Sequence, residues 1–217
     1  MASTLMDIYS GVKKNDPNRN KNDLYRTPPL ATYILQKYTN IPKNVVEPCA
    51  GFGNIAVELM RHGHNVHCSD LNYYKEALLP IKTGYDAMLL NKPEGYDGLV
   101  TNPPYHKDLP RKLAEKAILD YDYVAFLVRL TFLEGKKRHK LLTKHVPSDI
   151  IILSDRLRFD CPEVEAVELK EQTDGMIAYA WIVWDKNANH ENTKVQWAML
   201  EDEYPEWRKH YDNSINK

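Results

Sequence analysis

Five short apolar runs, separated by stretches of helical periodicity, constrain this chain more than any other feature. The runs are 44–46, 65–69, 96–101, 123–129 and 149–154. A strand that reaches its neighbour through a helix makes a parallel crossover, so the alternation predicts an α/β protein with a parallel sheet. The helical stretches carry apolar stripes at i, i+3 and i+4 spacing: Leu30, Tyr33, Ile34 and Tyr38 after a Thr27-Pro28-Pro29 start, then Ile55, Leu59 and Met60, then Leu113, Ala114, Ala117 and Ile118. These are expected core faces. A longer β-rich run, MIAYAWIVW at 176–184, follows a stretch from 156 to 175 without helical period, which predicts a late hairpin with a long connection.

Composition narrows the class of partner. With 29 Lys+Arg against 30 Asp+Glu, the formal charge is -1, so no global positive field attracts a polyanion and any nucleic-acid surface must be local. The three cysteines, Cys49, Cys68 and Cys161, lack metal-type spacing and are odd in number. That pattern points away from a disulfide framework or a zinc cluster and towards a reducing, cytoplasmic setting. No apolar run reaches the length of a membrane span.

The run 44–46 leads through Glu47-Pro48-Cys49-Ala50-Gly51-Phe52-Gly53 into a helix, a Gly-x-Gly-x-x-Ala loop between strand and helix. Glycines there permit a tight turn and let a ligand touch backbone. Asp70 closes the second run about 20 positions on, where a carboxylate can accept from ribose hydroxyls. An adenosine cofactor fits this much, and Glu47 separates two of them. A carboxylate at the mouth of the loop repels a pyrophosphate, whereas S-adenosylmethionine brings no phosphate and carries an ammonium and a sulfonium. S-adenosylmethionine is favoured over NAD.

Immediately after the run 96–101 stand Asn102-Pro103-Pro104-Tyr105. Two prolines forbid both helix and ladder pairing, so the segment leaves the strand tip stiff and extended, at the edge of an open sheet where ligands bind. These residue types suit methylation of an amine conjugated to a ring or a carbonyl, whose lone pair is delocalised and poorly nucleophilic. Acceptors that hold its hydrogens favour a pyramidal nitrogen. The Asn102 side-chain oxygen and the Pro103 carbonyl can be those acceptors, and Tyr105 offers a flat face.

On these motifs the chain resembles the class I S-adenosylmethionine-dependent adenine-N6 DNA methyltransferases, and more narrowly the small phage-type members. The resemblance implies a single Rossmann-like methyltransferase domain with a seven-stranded, mostly parallel sheet carrying one antiparallel strand. It implies a domain over 24–185, flanked by a polar N-terminal arm at 1–23 and an extension at 186–217. For that extension a docked helix and a loose tail both stay open. In such proteins the segment Asp23-Leu24-Tyr25-Arg26-Thr27-Pro28 helps cover the methionine part of the cofactor, which assigns Tyr25, Thr27 and Pro28 to cofactor binding. Glu47, Cys49, Ala50, Gly51 and Gly53 match the family's loop, Asp70 its ribose-binding acid, and Asp86 the residue that reads the cofactor adenine. Asn102, Pro103, Pro104 and Tyr105 match its catalytic segment, and no metal is implied. Sequence-specific members carry a separate recognition domain, which the residues after Trp184 do not resemble.

Nucleic acid, in the first place DNA, is the implied partner. Lys107, Arg111 and Lys112 follow the catalytic segment, and Arg156 and Phe159 open the long connection, where they could meet a flipped base or its phosphate; a packed basic turn is the other reading of the latter pair. Lys136-Lys137-Arg138-His139-Lys140, with Lys144, is the densest positive cluster, open to phosphate contact or to plain solvation. Adenine in RNA and a protein glutamine amide present a similar conjugated amine and remain alternatives, as does a non-catalytic binding module.

Overall fold

The computed structural model of the protein describes residues 24–106, 108–157, 159, 177–188 and 192–215; the arm 1–23, Lys107 and Cys161 lie outside them. Eight strands form one sheet: β1 Asn44–Glu47, β2 Asn65–Asp70, β3 Lys82–Thr83, β4 Gly98–Thr101, β5 Tyr123–Arg129, β6 Asp149–Leu153, β7 Tyr179–Asp185 and β8 Lys194–Ala198. Their order is β3-β2-β1-β4-β5-β7-β6-β8. All neighbours pair parallel except β7, which runs antiparallel to both β5 and β6. The expected mostly parallel sheet with one antiparallel strand is present, but the count is eight and not seven. The additional strand is β8, which extends the sheet beyond β6 from a five-residue stretch, KVQWA, whose Val195 and Trp197 are exposed and give it no buried apolar face.

The helices are α1 Pro29–Tyr38, α2 Asn54–Arg61, α3 Leu109–Asp120, α4 Lys136–Lys144 and α5 Leu200–Ile215, with a 3-10 turn at Leu130–Leu133. Side chains alternate across the central strands, as a sheet covered on both faces requires. Tyr123, Ala125 and Leu127 of β5 and Tyr179, Trp181 and Val183 of β7 join the core shared with α1, α2 and α5. Val124, Phe126 and Val128, with Ile182 and Trp184, join the core beneath α3 and α4. Both indoles satisfy their N–H inside the core, Trp181 Nε1 on the Ala31 carbonyl and Trp184 Nε1 on the His145 carbonyl, each at 2.8 Å.

Met60, placed by its spacing on the core face of α2, is exposed. Glu58, a polar residue on the same helix, is buried in its stead because Arg61, His62 and Trp207 surround its carboxylate. The extension after β7 is structured: it supplies β8 and then α5, whose Trp207 is 1% exposed and donates to Glu58 Oε1 at 3.0 Å. Lys37 of α1 clasps the same helix through Glu203 and Glu206 at 2.6 and 2.8 Å. No described helix is long and apolar enough to cross a membrane.

From β1 the chain proceeds outward through β2 and β3, then crosses back to β4 and proceeds the other way. The carboxyl ends of β1 and β4 therefore flank the point where the winding reverses. A crevice opens there because the two following segments leave in opposite directions.

Candidate active site

The β1 exit loop turns into α2 through two left-handed glycines, Gly51 at φ 55° and Gly53 at φ 86°. At this φ a side chain is strained, and a Cβ on Gly53 would stand 2.2 Å from Leu79 Cδ2, which would have to move. Asp70, delivered by β2, braces the loop: its Oδ2 accepts from the Gly51 N–H and its Oδ1 from the Asn72 N–H, both at 2.8 Å. Each carboxylate oxygen keeps a second lone pair for a ligand. Glu47, at the tip of β1, is 2% exposed, and its Oε2 has no hydrogen-bond partner. Burial pushes this carboxyl well above the usual range; the Ala56 N–H opposes the shift and the Asp70 charge adds to it.

These groups open on one cavity of about 480 Å³, a volume suited to a small-molecule ligand. Tyr25, Thr27, Glu47, Cys49, Ala50, Gly51, Asp70, Asp86, Asn102 and Pro104 all line it, so the glycine loop and the Asn-Pro-Pro-Tyr segment share a single space. Pro28, Gly53, Pro103 and Tyr105 do not line it. Asn102 is oriented from both ends of its amide: Nδ2 donates to Thr27 Oγ1 at 3.1 Å, and Oδ1 accepts from the Tyr105 hydroxyl at 2.7 Å. The Tyr105 hydroxyl also lies 3.1 Å from the Leu127 carbonyl. Its ring, expected from the sequence as an open flat face, has the Arg129 guanidinium over it at 4.8 Å and the edge of Tyr179 against it. Burial pushes the Cys49 and Cys68 thiols upward, which makes both poor nucleophiles, and among the described residues no acidic, His and Cys side chains gather as a metal site.

No protein-family model matches the chain, and no curated protein is detectably related to it in sequence. Solved structures are similar to it in fold. A Listeria monocytogenes protein assigned as a class I S-adenosylmethionine-dependent methyltransferase matches with a TM-score of 0.57 at 15% identity, over 95% of this chain and 74% of that one. The methyltransferase subunit of a type I restriction-modification system from Streptococcus thermophilus matches with a TM-score of 0.56 at 15% identity, over 82% of this chain and 48% of that subunit. A Pyrococcus horikoshii protein assigned as an RNA methyltransferase matches with a TM-score of 0.50 at 18% identity, over 88% and 100%. The chain has the class I methyltransferase fold. It spans about half the length of the Streptococcus subunit.

The residues expected to touch nucleic acid differ in their surroundings. Lys112 and Arg156 are exposed. Arg111 is not a free cation: its guanidinium pairs with Asp108 at 2.7 Å and with Glu115. Phe159 is buried, its ring edge-on to Tyr25 at 5.6 Å and to Tyr179 at 5.0 Å, which is the packed arrangement. Asp86 is exposed on the cavity wall and accepts from the Met88 N–H, so part of its acceptor capacity holds its own turn. Sequence reasoning missed Asn72, Tyr74 and Tyr85, which also line the cavity, as does His106. The signal for Tyr74 was its place just past Asp70, at the carboxyl edge of the sheet. Arg129 had none, since it reads as the end of an apolar strand.

Proposed function

We propose that this chain is an S-adenosylmethionine-dependent methyltransferase that methylates the N6 amine of adenine in DNA. The observation that carries the cofactor is the Glu47 oxygen, buried without a partner in the wall of a nucleoside-sized cavity. An unpaired buried carboxylate is costly unless a cation completes it, and the cofactor ammonium is such a cation. A pyrophosphate would bring no positive charge to Glu47 and would meet the Asp70 carboxylate. When bound, the cofactor supplies a methyl group activated by its sulfonium.

The remaining roles belong to this chain's own residues. Asp70 accepts from ribose hydroxyls while it braces Gly51. Thr27 fixes the Asn102 amide so that Oδ1 faces the reacting amine; a carbonyl oxygen has two lone pairs, so the amine and the Tyr105 hydroxyl can share it. The Pro103 carbonyl, which is not among the groups lining the cavity, is the second acceptor that the motif implies for the amine. Held this way, the nitrogen lone pair is freed from the ring and aligned, and its surplus proton leaves to these acceptors or to water. Placement supplies most of the acceleration, and no strong base is needed.

DNA as the substrate is supported by the motif set, which resembles the small phage-type adenine-N6 enzymes, and by the fold shared with a restriction-modification methyltransferase subunit. Asn102→Ala tests the mechanism. Turnover is expected to fall by about 10²–10³, while the rise in melting temperature on adding the cofactor stays within a degree or so of wild type. A fully active Asn102→Ala enzyme contradicts the assignment.

A further inference from the structure

The described surface of this protein pairs most of its clustered cations, and one helix is the exception. Arg111 and Lys116 of α3 are held by Asp108, Glu115 and Asp120; Lys37, Lys92, Lys186 and Arg208 likewise have carboxylate partners. Helix α4, KKRHKLLTK, holds five Lys and Arg residues and no acid. At about 100° per residue, Lys136, Lys140, Lys144 and Lys137 fall within a stripe roughly 100° wide, with Leu141 turned to the core. All four lysines are exposed, and Lys136, Lys140 and Lys144 make no ion pair among the described residues.

This arrangement works against the helix. Lys136, Lys137 and Arg138 occupy the first turn, where the macrodipole disfavours positive charge, and the i, i+4 lysine pairs repel one another. A purely solvated face gains nothing from that pattern, whereas an anionic partner reverses the sign of every one of these interactions. The position selects the partner. β5 delivers the chain to the carboxyl edge of the sheet, Gly135 at φ 92° turns it, and α4 begins there. Lys137 reaches Asp108 at 3.6 Å, just before α3 and just after the Asn102–Tyr105 segment and His106 of the cavity wall. The stripe thus starts beside the mouth of the active site.

We propose that the lysine stripe of α4 is the docking surface for the phosphate backbone of the nucleic-acid substrate. The inference rests on the methyltransferase reading and adds the place at which a chain of net charge -1 grips a polyanion. Contacts of this kind fix register at the cavity and do not read bases.

The test measures fluorescence anisotropy of a labelled mixed-sequence duplex with the full chain between 50 and 200 mM salt. It compares wild type, the K136Q/K140Q/K144Q variant, and a K43Q/K186Q/K194Q variant that removes equal charge from the opposite edge of the sheet. The α4 variant is expected to bind at least tenfold more weakly at 50 mM salt. Its log–log salt slope should shrink by about 2–3, for three phosphates no longer neutralised. The control variant should lose less than threefold. Equal losses in both variants, or none in either, overturn the docking surface. Melting shifts with S-adenosylmethionine, measured in parallel, keep the two claims apart. A wild type that takes the cofactor and binds no duplex overturns the nucleic-acid partner and the surface with it, while a cofactor shift in all three proteins leaves the methyltransferase reading standing.

Discussion

Glu47 sits where a carboxylate is least comfortable, and the account gives it a purpose that stability alone would not. Its folded-state pKa is raised above the ordinary value of 4.5 by burial. A raised value means that its contribution to stability is fully present below pH 4.5 and is lost as the pH climbs through the folded value. Glu47→Gln is therefore expected to stabilise the cofactor-free protein at pH 7.5 by about 1–2 kcal/mol, a few degrees in melting temperature, with the gain vanishing near pH 4.5. The same variant should bind S-adenosylmethionine ten- to a hundredfold more weakly, because the amide offers no charge to the ammonium. Thermal melts with and without cofactor across that pH range check both signs at once. At this scale Glu47 and Asn102 were legible because each stands in a short contiguous motif, and Asp70 because it closes an apolar run at a fixed distance from the glycine loop. The tie from Asn102 to Thr27 was not, since nothing in a sequence announces a hydrogen bond across 75 positions. The cation over Tyr105 was hidden for the same reason.

The elements that follow an apolar period were readable, and those held by single contacts were not. β1, β2, β5 and β6 lie within a residue of their expected ends, since each alternates or runs apolar between turns. β4 begins two residues later than the run at 96 suggested, because the Tyr96 N–H closes the approaching turn on the Pro93 carbonyl and Asp97 precedes the ladder. α5 stayed undecided and β8 went unread, because their apolar residues are few and each element depends on a partner elsewhere in the chain. Trp207 shows this: one indole, packed between Tyr204 and Tyr211 and bonded to Glu58, anchors α5 across α2. Trp207→Ala removes a fully buried ring and strips a buried carboxylate of a donor. It is expected to cost about 3–5 kcal/mol in chemical denaturation. A loss below 1 kcal/mol would mean that α5 contributes little to the fold.

Over the whole molecule, the winding of the sheet brings together side chains that the sequence spreads from Tyr25 to His106, and a single cavity receives them. The order β3-β2-β1-β4-β5 places the glycine loop beside the catalytic segment whatever the remaining strands do. This is why the chemistry was more legible than the eighth strand. The substrate was less legible, because surface charge such as that of α4 has no period to read and phosphate contacts carry no base identity. The central claim is that one cavity presents a methyl donor to an adenine amine held by Asn102. The most direct measurement incubates the protein with methyl-labelled S-adenosylmethionine and separate pools of DNA, RNA and protein, followed by nucleoside and amino-acid analysis, with Asn102→Ala alongside. The account predicts N6-methyladenine in DNA from the wild type and almost none from the variant. Label found only on RNA or on glutamine, or label transferred equally by both proteins, would contradict it.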